Sequence, residues 1–271
     1  MSDPRPIGVF DSGMGGLTVM RALMARLPNE SFLYLGDTAR LPYGTKSADT
    51  VRRYALQAAQ ALVARGVKAV VIACNTASVS LPALREALAP LPVIGVIEPG
   101  AEAALVVAPE GPIGVIATEG TVKGGAYRAA IRAAGGANIP IAQQACPLFV
   151  PMAEEGLVKG PIVEAVIHRY LDPLLATVPK PKALLLGCTH YPVLKMEIAK
   201  VAGPDVVLVD SAVTAANAVA KLLDERGIAA NGGARSVRFL ATDAPDRFAN
   251  VGEIFLGQPI DPGSVELIDL Q

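Results

Sequence analysis

The segment AVVIACNTAS, residues 69–78, changes from apolar to polar at Cys74. A short apolar run without polar alternation is typical of a β-strand buried on both faces, as the strands of a parallel sheet are. The same pattern returns in ALLLGCTHYP, residues 183–192, where Cys188 follows the apolar run. Two of the chain's three cysteines therefore stand at the ends of two similar predicted strands.

Further apolar runs predict buried strands of the same kind: IGVF (7–10), SFLYLG (31–36), PVIGVI (92–97), PIGVIA (112–117) and DVVLV (205–209). Alanine- and leucine-rich segments between them predict helices: LTVMRALMARLP (17–28), ADTVRRYALQAAQALVARG (48–66), LPALREALA (81–89) and PIVEAVIHRYLDPLLA (161–176). Strands and helices that alternate in this way indicate parallel sheets covered by helices. The predicted fold class is α/β, with doubly wound and mainly parallel sheets.

A weak internal similarity predicts two such domains. PIGVFDSGMGG (6–16) resembles GPIGVIATEGT (111–121), and each segment leads along the chain to a strand that ends in a cysteine. We place the crossover near IEPG (97–100) and a return after Asp210. The predicted first domain is 1–98 plus 211–271, with the C-terminal part packed back on it, and the predicted second domain is 99–210.

Composition limits the class of protein. The chain has 271 residues, 52% of them hydrophobic, and a net charge of −1, so its charge gives no general attraction to nucleic acid or anionic membranes. An odd number of cysteines without a CxxC pair indicates neither a disulfide framework nor a zinc site. The N-terminal residues lack the apolar stretch of a signal peptide, and no apolar run is long enough to span a bilayer. We expect a cytoplasmic protein with neither nucleic acid nor membrane as a partner.

Polar clusters follow the predicted strands at their carboxyl ends, where parallel α/β sheets bind ligands. They are DSGMGG (11–16), DTARLPYG (37–44), CNTAS (74–78), TEGT (118–121) and CTHYP (188–192). Taken alone, DSGMGG is first interpreted as a helix-capping turn and second as an anion cradle. DTARLPYG is equally consistent with a surface turn around Pro42 and with a functional loop.

Other chemically active side chains lack such surroundings. Cys146 has no polar neighbours in sequence and is interpreted as a structural thiol. His168 lies in a predicted helix and is expected to face solvent or a local partner. Glu154 and Glu155 look like ordinary surface acids on residue chemistry alone.

Two thiols at two strand tips indicate a particular reaction. If they face each other across a ligand, one can remove a proton while the other delivers one from the opposite side, which inverts a stereocentre without a cofactor. Such a site must also stabilise a developing carbanion with hydrogen-bond donors. Suitable donors here are Ser12, Asn75, Thr76, Thr118, Thr121 and Thr189. No lysine is marked as a Schiff-base residue and no metal cage is evident, so neither a cofactor nor a metal is expected.

Five motifs in order then resemble a known family: FDSGMGGLTV (10–19), LGDTARLPYG (35–44), ACNTAS (73–78), ATEGT (117–121) and GCTHYPVLK (187–195). The chain is similar, from Pro6 to about Phe255, to the glutamate racemases, cofactor-independent enzymes that make D-glutamate for bacterial peptidoglycan. The resemblance implies two α/β domains with the active site in the cleft between them, and glutamate as the substrate.

The resemblance also assigns roles to residues. It implies that Cys74 and Cys188 are the acid/base pair, with Cys74 acting on D-glutamate and Cys188 on L-glutamate. Asp11 falls near the first thiol, His190 near the second, and Glu154 is the auxiliary acid, with Glu155 as the alternative. The positions implied to hold the substrate are Asp11, Ser12, Tyr43, Gly44, Asn75, Thr76, Thr121 and Thr189.

The chain departs from the family pattern at Gly124 and Gly125, where family members often carry a serine or an asparagine–serine pair. It also begins without the N-terminal extension of members that a cell-wall nucleotide precursor activates, so that regulation is not expected. A homodimer is implied by resemblance alone.

Rival functions remain open. They are an aspartate or hydantoin racemase with the same two-thiol scheme, an acyl transferase that uses Cys188 and His190, and a protein-binding role such as topoisomerase inhibition.

Overall fold

A computed structural model describes residues 2–177, 179–232 and 234–270. In these ranges the β-strands are β1 (Ile7–Asp11), β2 (Phe32–Gly36), β3 (Ala69–Ile72), β4 (Val93–Gly95), β5 (Ile113–Ala117), β6 (Ile141–Ala145), β7 (Ala183–Gly187), β8 (Val207–Asp210), β9 (Val237–Ala241) and β10 (Val265–Leu267). The α-helices are α1 (Leu17–Arg26), α2 (Ala48–Val63), α3 (Asn75–Ser78), α4 (Leu81–Leu88), α5 (Ile97–Val107), α6 (Glu119–Gly124), α7 (Ala126–Ala133), α8 (Phe149–Glu154), α9 (Pro161–Leu175), α10 (Lys195–Ala202), α11 (Ser211–Arg226) and α12 (Pro245–Leu256).

Two parallel sheets organise the described chain. The larger sheet has the strand order β10-β9-β2-β1-β3-β4, and the smaller has the order β6-β5-β7-β8. Every pair of neighbouring strands in both sheets runs parallel. The chain winds outward in both directions from β1 and from β5, which is the doubly wound topology. The predicted α/β class with parallel sheets is therefore confirmed.

The two sheets use different parts of the sequence. The C-terminal strands β9 and β10 join the larger sheet beside β2, whereas residues 113–210 supply all four strands of the smaller sheet. The predicted crossover at 97–100 falls in the first turn of α5. The exact bounds of the two domains stay a prediction.

All seven predicted strands are present, and three others were missed. The strand β6 carries Gln143 and Gln144 and is only half-buried, so it shows no continuous apolar run. The strand β9 is interrupted by Arg238, and β10 has only three residues. These strands lie at or next to the edges of their sheets, where burial on both faces is not required.

The alternation of side chains along β3 and β7 determines the face of the sheet on which each cysteine lies. Val70, Ile72 and Cys74 pack in one apolar core, on the α2 side of the larger sheet, while Val71 packs in the core on the opposite face. In the smaller sheet Cys188 likewise shares a core with alternate residues of β7. Because side chains alternate between the faces of a strand, each sulfur emerges from a face whose earlier positions are fully apolar.

A buried ion pair lies at the amino ends of β2 and β3 in the larger sheet. Lys68 Nζ lies 2.6 Å from Glu30 Oε2, and both side chains are buried. The same ammonium donates to the carbonyl oxygens of Asp3 at 2.7 Å and Ile228 at 2.8 Å. Glu30 Oε1 accepts a hydrogen bond from the backbone N–H of Ala230 at 2.8 Å. This cluster joins the N-terminal segment to the segment that leads into β9.

We expect Lys68→Met to lower the free energy of unfolding by about 3–5 kcal/mol, because it leaves the buried Glu30 carboxylate without a counter-ion. Adding Glu30→Gln should recover part of that loss. Arg52→Met removes an exposed ion pair with Asp49 and should cost less than about 1 kcal/mol. Urea unfolding followed by circular dichroism gives the three values. A loss for Lys68→Met no larger than that for Arg52→Met would contradict this account.

Candidate active site

One cavity of about 120 Å³ lies where the carboxyl ends of the two sheets face each other. Both Cys74 and Cys188 line this cavity, and each is only 5% exposed. The other predicted site residues that line it are Ser12, Tyr43, Gly44, Asn75, Thr76, Thr118, Glu154, Thr189 and His190. Asp11 and Thr121 are buried behind the lining. The two strand-tip thiols thus share one enclosed space.

Cys74 occupies the N-cap position of α3, directly after β3. Its Sγ accepts a hydrogen bond from the backbone N–H of Ala77 at 3.4 Å and donates to Ser12 Oγ, also at 3.4 Å. Burial raises the pKa of the Cys74 thiol, and the negative charge of Asp11 raises it further, to about 12. Cys74 is therefore a protonated thiol at neutral pH in the unliganded protein.

Asp11 ends β1 and is completely buried. Its Oδ2 accepts a hydrogen bond from the backbone N–H of Gly13 at 2.9 Å. Burial raises the pKa of Asp11, although the charge of His190 and backbone N–H groups oppose the increase. A Cβ on Gly16 would lie 2.4 Å from the Asp11 side chain, so the glycine allows the backbone to pass over the carboxyl group.

A second network surrounds Cys188. Its Sγ lies 3.8 Å from His190 Nδ1, and His190 Nε2 lies 3.2 Å from Glu154 Oε1. Burial alone would lower the pKa of His190, but the hydrogen bonds with Cys188 and Glu154 outweigh burial and raise the pKa to about 10. The ring is then an imidazolium at neutral pH, and its Nδ1 faces the Cys188 sulfur.

Glu154 connects this network to the larger sheet. Burial would raise the pKa of Glu154, but the hydrogen bond and charge of His190 and the nearby Arg247 lower it below its usual value. Arg247, on α12, places Nη2 3.5 Å from Glu154 Oε2. Glu155 is exposed and does not line the cavity, so of the two candidate acids only Glu154 reaches His190.

Gly15 of DSGMGG permits close contact between the two halves. A Cβ on Gly15 would lie 2.3 Å from the His190 ring, and Thr18 Oγ1 donates to the carbonyl oxygen of Thr189 at 2.8 Å. The helix α1 that follows has no side-chain cap. The interpretation of DSGMGG as a helix-capping turn was therefore wrong; Gly15 is needed because the second half approaches the loop at this position.

Three threonine hydroxyls form a cluster across the cleft. Thr76 Oγ1 lies 2.9 Å from Thr118 Oγ1 and 3.3 Å from Thr121 Oγ1, and the last two are 3.0 Å apart. Thr76 follows β3 of the larger sheet, whereas Thr118 and Thr121 follow β5 of the smaller one. Such a group of rotatable O–H donors can bind a carboxylate from both halves at once.

The loop DTARLPYG is held in place by Asp37. The carboxylate of Asp37 accepts hydrogen bonds from the Tyr43 hydroxyl, from Arg40 Nε at 2.7 Å and from Thr242 Oγ1 at 2.9 Å. Tyr43 is buried and lines the cavity, so a simple surface turn does not describe this loop. A Cβ on Gly44 would lie 2.9 Å from Thr118, which places the loop against the opposite half.

Sequence reasoning missed several residues of the site. The unpredicted lining side chains are Leu41, Pro42, Thr45, Glu119, Pro147, Val150 and Pro151. Leu41, Pro42 and Glu119 lie inside the motifs DTARLPYG and TEGT but were not singled out as site residues. Pro147, Val150 and Pro151 follow the missed strand β6, where no polar motif marked them. Arg247 also had no signal, since it lies more than fifty residues after the last motif.

The side chains interpreted as structural lie outside the cavity. Cys146 is buried but does not line it. His168 lies on α9 with its Nδ1 2.9 Å from Asp172, and both side chains are about half exposed or more. Within the described ranges, no helix combines the length and apolar composition that crossing a bilayer requires.

Comparison with known proteins gives a consistent result. The sequence model of the Asp/Glu/Hydantoin racemase family matches residues 7–219. A glutamate racemase of Syntrophus aciditrophicus (strain SB) is 46% identical over 267 residues, which cover 98% of this chain and 97% of the relative. The crystal structure of glutamate racemase from Francisella tularensis subsp. tularensis SCHU S4 in complex with D-glutamate is similar with a TM-score of 0.91 and 42% identity, covering 99% of this chain and 98% of that one. The glutamate racemase structure from Thermus thermophilus in complex with beta-chloro-D-alanine has a TM-score of 0.88 and 44% identity, with 99% of both chains covered.

The raised pKa of His190 can be measured directly, because the chain has only two histidines. In proton NMR the His190 ring resonances should titrate near pH 10 rather than near the ordinary 6.5. The variant His168→Gln assigns the two sets of resonances. Glu154→Gln should lower the His190 midpoint, because a neutral amide no longer stabilises the imidazolium. A midpoint near 6.5 in the unsubstituted protein would contradict the described network.

The raised pKa of His190 also determines whether the stability of the fold rises or falls with pH. A folded-state pKa above the unfolded value stabilises the fold fully below about pH 6.5, and this contribution disappears as the pH rises through about 10. The difference in unfolding free energy between the protein and His190→Gln should therefore shrink over that range. A difference that grows with pH would have the wrong sign.

Proposed function

Because the chain belongs to the Asp/Glu/hydantoin racemase family, we propose that it interconverts L- and D-glutamate by exchanging the Cα proton between Cys74 and Cys188. The observation that carries the proposal is that these two thiols, each from a different sheet, line the same cavity. An acid and a base on opposite sides of one carbon are what inversion requires.

The protonated state of Cys74 suits the conversion of L- to D-glutamate. The Cys188 thiolate takes the proton from Cα, and the electron pair of that bond remains on the substrate as a carbanion. Cys74, held as a thiol, donates its proton to the opposite face and becomes a thiolate. The reverse reaction starts from a Cys74 thiolate and a Cys188 thiol, so each turnover exchanges the roles of the two sulfurs.

The carbanion needs stabilisation, because the Cα proton of an amino acid is very weakly acidic. The negative charge can spread onto the α-carboxylate, where preorganised hydrogen-bond donors lower the barrier. The hydroxyls of Thr76, Thr118 and Thr121 are grouped for this purpose. Thr189, Ser12 and the loop residues Tyr43 and Gly44 complete the proposed contacts with substrate.

Asp11 and the His190–Glu154 pair are proposed to control protonation of the two thiols. Asp11 opposes ionisation of Cys74, and His190 is the proton partner beside Cys188. Glu154 holds His190 in its cationic form. In this scheme the enzyme uses no cofactor, works in the cytoplasm as a homodimer and supplies D-glutamate to peptidoglycan.

The rivals are less well supported. An acyl transferase built on Cys188 and His190 would leave Cys74 without a role, although Cys74 lines the same cavity. Aspartate or hydantoin racemisation would use the same thiols, but the curated relatives at 40–46% identity are named glutamate racemases.

Turnover in deuterium oxide tests the two-base scheme. Deuterium should enter Cα of glutamate during racemisation, and Cys74→Ala and Cys188→Ala should each reduce kcat by at least about 10²–10⁴-fold, since each removes a general acid/base. Circular dichroism measures racemisation, and proton NMR measures exchange at Cα.

Cys146→Ala is the matched control, because this third thiol is buried outside the cavity and should be dispensable for turnover. If either Cys74→Ala or Cys188→Ala racemises glutamate at the unsubstituted rate, the two-thiol mechanism is wrong.

Substrate profiling separates glutamate from aspartate. We expect kcat/KM for L-glutamate to exceed that for L-aspartate by about 10- to 200-fold, the usual discrimination for one methylene group. A higher kcat/KM for aspartate in the same coupled assay would favour the aspartate alternative.

A further inference from the structure

A chain of buried polar side chains lies behind the cavity and connects the two halves. The side-chain amide of Asn75 donates from Nδ2 to the Tyr127 hydroxyl oxygen at 2.7 Å. Ser211 lies close to the Tyr127 hydroxyl, and its own hydroxyl donates to the carbonyl oxygen of Leu186 at 3.0 Å. Asn75, Tyr127 and Ser211 are 2%, 0% and 1% exposed. They come from α3, α7 and α11, three elements that are distant in sequence.

The hydrogen bond between Asn75 and Tyr127 orients the Asn75 amide. A backbone carbonyl oxygen can only accept, so the single hydrogen of the Ser211 hydroxyl is committed to Leu186. The Ser211 oxygen is then left as an acceptor for the nearby Tyr127 hydroxyl. The Tyr127 oxygen accepts from the amide of Asn75. Only the nitrogen of that amide can donate, so the orientation of the Asn75 side chain is determined.

This orientation leaves Asn75 Oδ1 without a donor. Among the residues that the structure describes, Asn75 Oδ1 and Asp11 Oδ1 are buried oxygens that lack a hydrogen-bond partner. Asn75 lines the cavity and follows Cys74 directly, while the charge of Asp11 acts on the Cys74 thiol. A buried acceptor without a partner is costly, so a ligand in the cavity that brings an N–H donor would satisfy Asn75 Oδ1. The ammonium group of an α-amino acid carries three such donors.

We propose that Tyr127 and Ser211 are positioning residues, which hold Asn75 with its carbonyl oxygen available to the ammonium group of the substrate. The proposal rests on the proposed function, since it takes the ligand to be an α-amino acid. Without the Tyr127 hydroxyl the amide can turn over, and its NH₂ group would then oppose the substrate ammonium. Tyr127 and Ser211 act through Asn75 and do not line the cavity themselves.

The test compares a substrate that carries the ammonium group with an inhibitor that lacks it. Glutarate has both carboxylates of glutamate and no amino group. In Tyr127→Phe we expect KM for D-glutamate to rise by about 10- to 100-fold, the loss expected for a hydrogen bond to a charged group, with a smaller change in kcat. The inhibition constant of glutarate against D-glutamate should stay within about twofold, because its binding does not use Asn75 Oδ1.

Ser211→Ala provides a second variant. It keeps the Tyr127 side chain but removes the nearby acceptor for its hydroxyl hydrogen. KM for D-glutamate should therefore rise, by a smaller factor than in Tyr127→Phe. Tyr170→Phe is the matched control, since Tyr170 lies on α9 against Phe149, does not line the cavity and should leave both constants unchanged. Thermal unfolding by circular dichroism establishes that each variant is folded.

Two outcomes would overturn the positioning role: an unchanged KM in Tyr127→Phe, or equal increases in KM and in the glutarate constant, which indicate a general distortion of the cavity. If Tyr127→Phe does not fold, Ser211→Ala decides by the same two constants. An unsubstituted protein without racemase activity would refute the proposed function instead, so the two failures can be told apart.

Discussion

The site depends on two separate sheets that direct their carboxyl ends into the same space. Loops at the carboxyl ends of one parallel sheet lie along one edge, whereas here a second sheet faces that edge. Here β3 delivers Cys74 and β7 delivers Cys188 from facing edges. Gly15, the threonine cluster and the loop at Tyr43 all serve this one requirement, because each allows or stabilises the close approach of the two halves.

The two thiols are chemically alike, and their surroundings make them different. Cys74 is buried beside a carboxylate, which opposes ionisation. Cys188 lies beside an imidazolium that Glu154 maintains. In the proposed reaction the two thiols therefore start from different surroundings, because burial and the charge of Asp11 hold the proton on Cys74.

The fold was largely predictable, because burial on both faces of a parallel strand leaves a continuous apolar run. Strands that escape this constraint were missed: β6 carries two glutamines, and β9 carries an arginine. The cysteines were predictable since polar residues abruptly follow their strands. Resemblance alone singled out Glu154, because its contact with His190 depends on the placement of α8, which follows the missed β6. Arg247 and the Tyr127–Ser211 pair were not predictable, since their importance comes from contacts across the cleft that no local pattern records.

The return of β9 and β10 to the larger sheet has a consequence for synthesis on the ribosome. The chain leaves the ribosome N-terminus first, so β1 to β4 emerge long before residues 237–267. Until then one edge of β2 has no neighbour and exposes unpaired backbone groups. The four strands of the smaller sheet are contiguous in sequence and can assemble during this interval. The nascent protein therefore carries a complete small sheet and an unfinished large one until its last strands are translated.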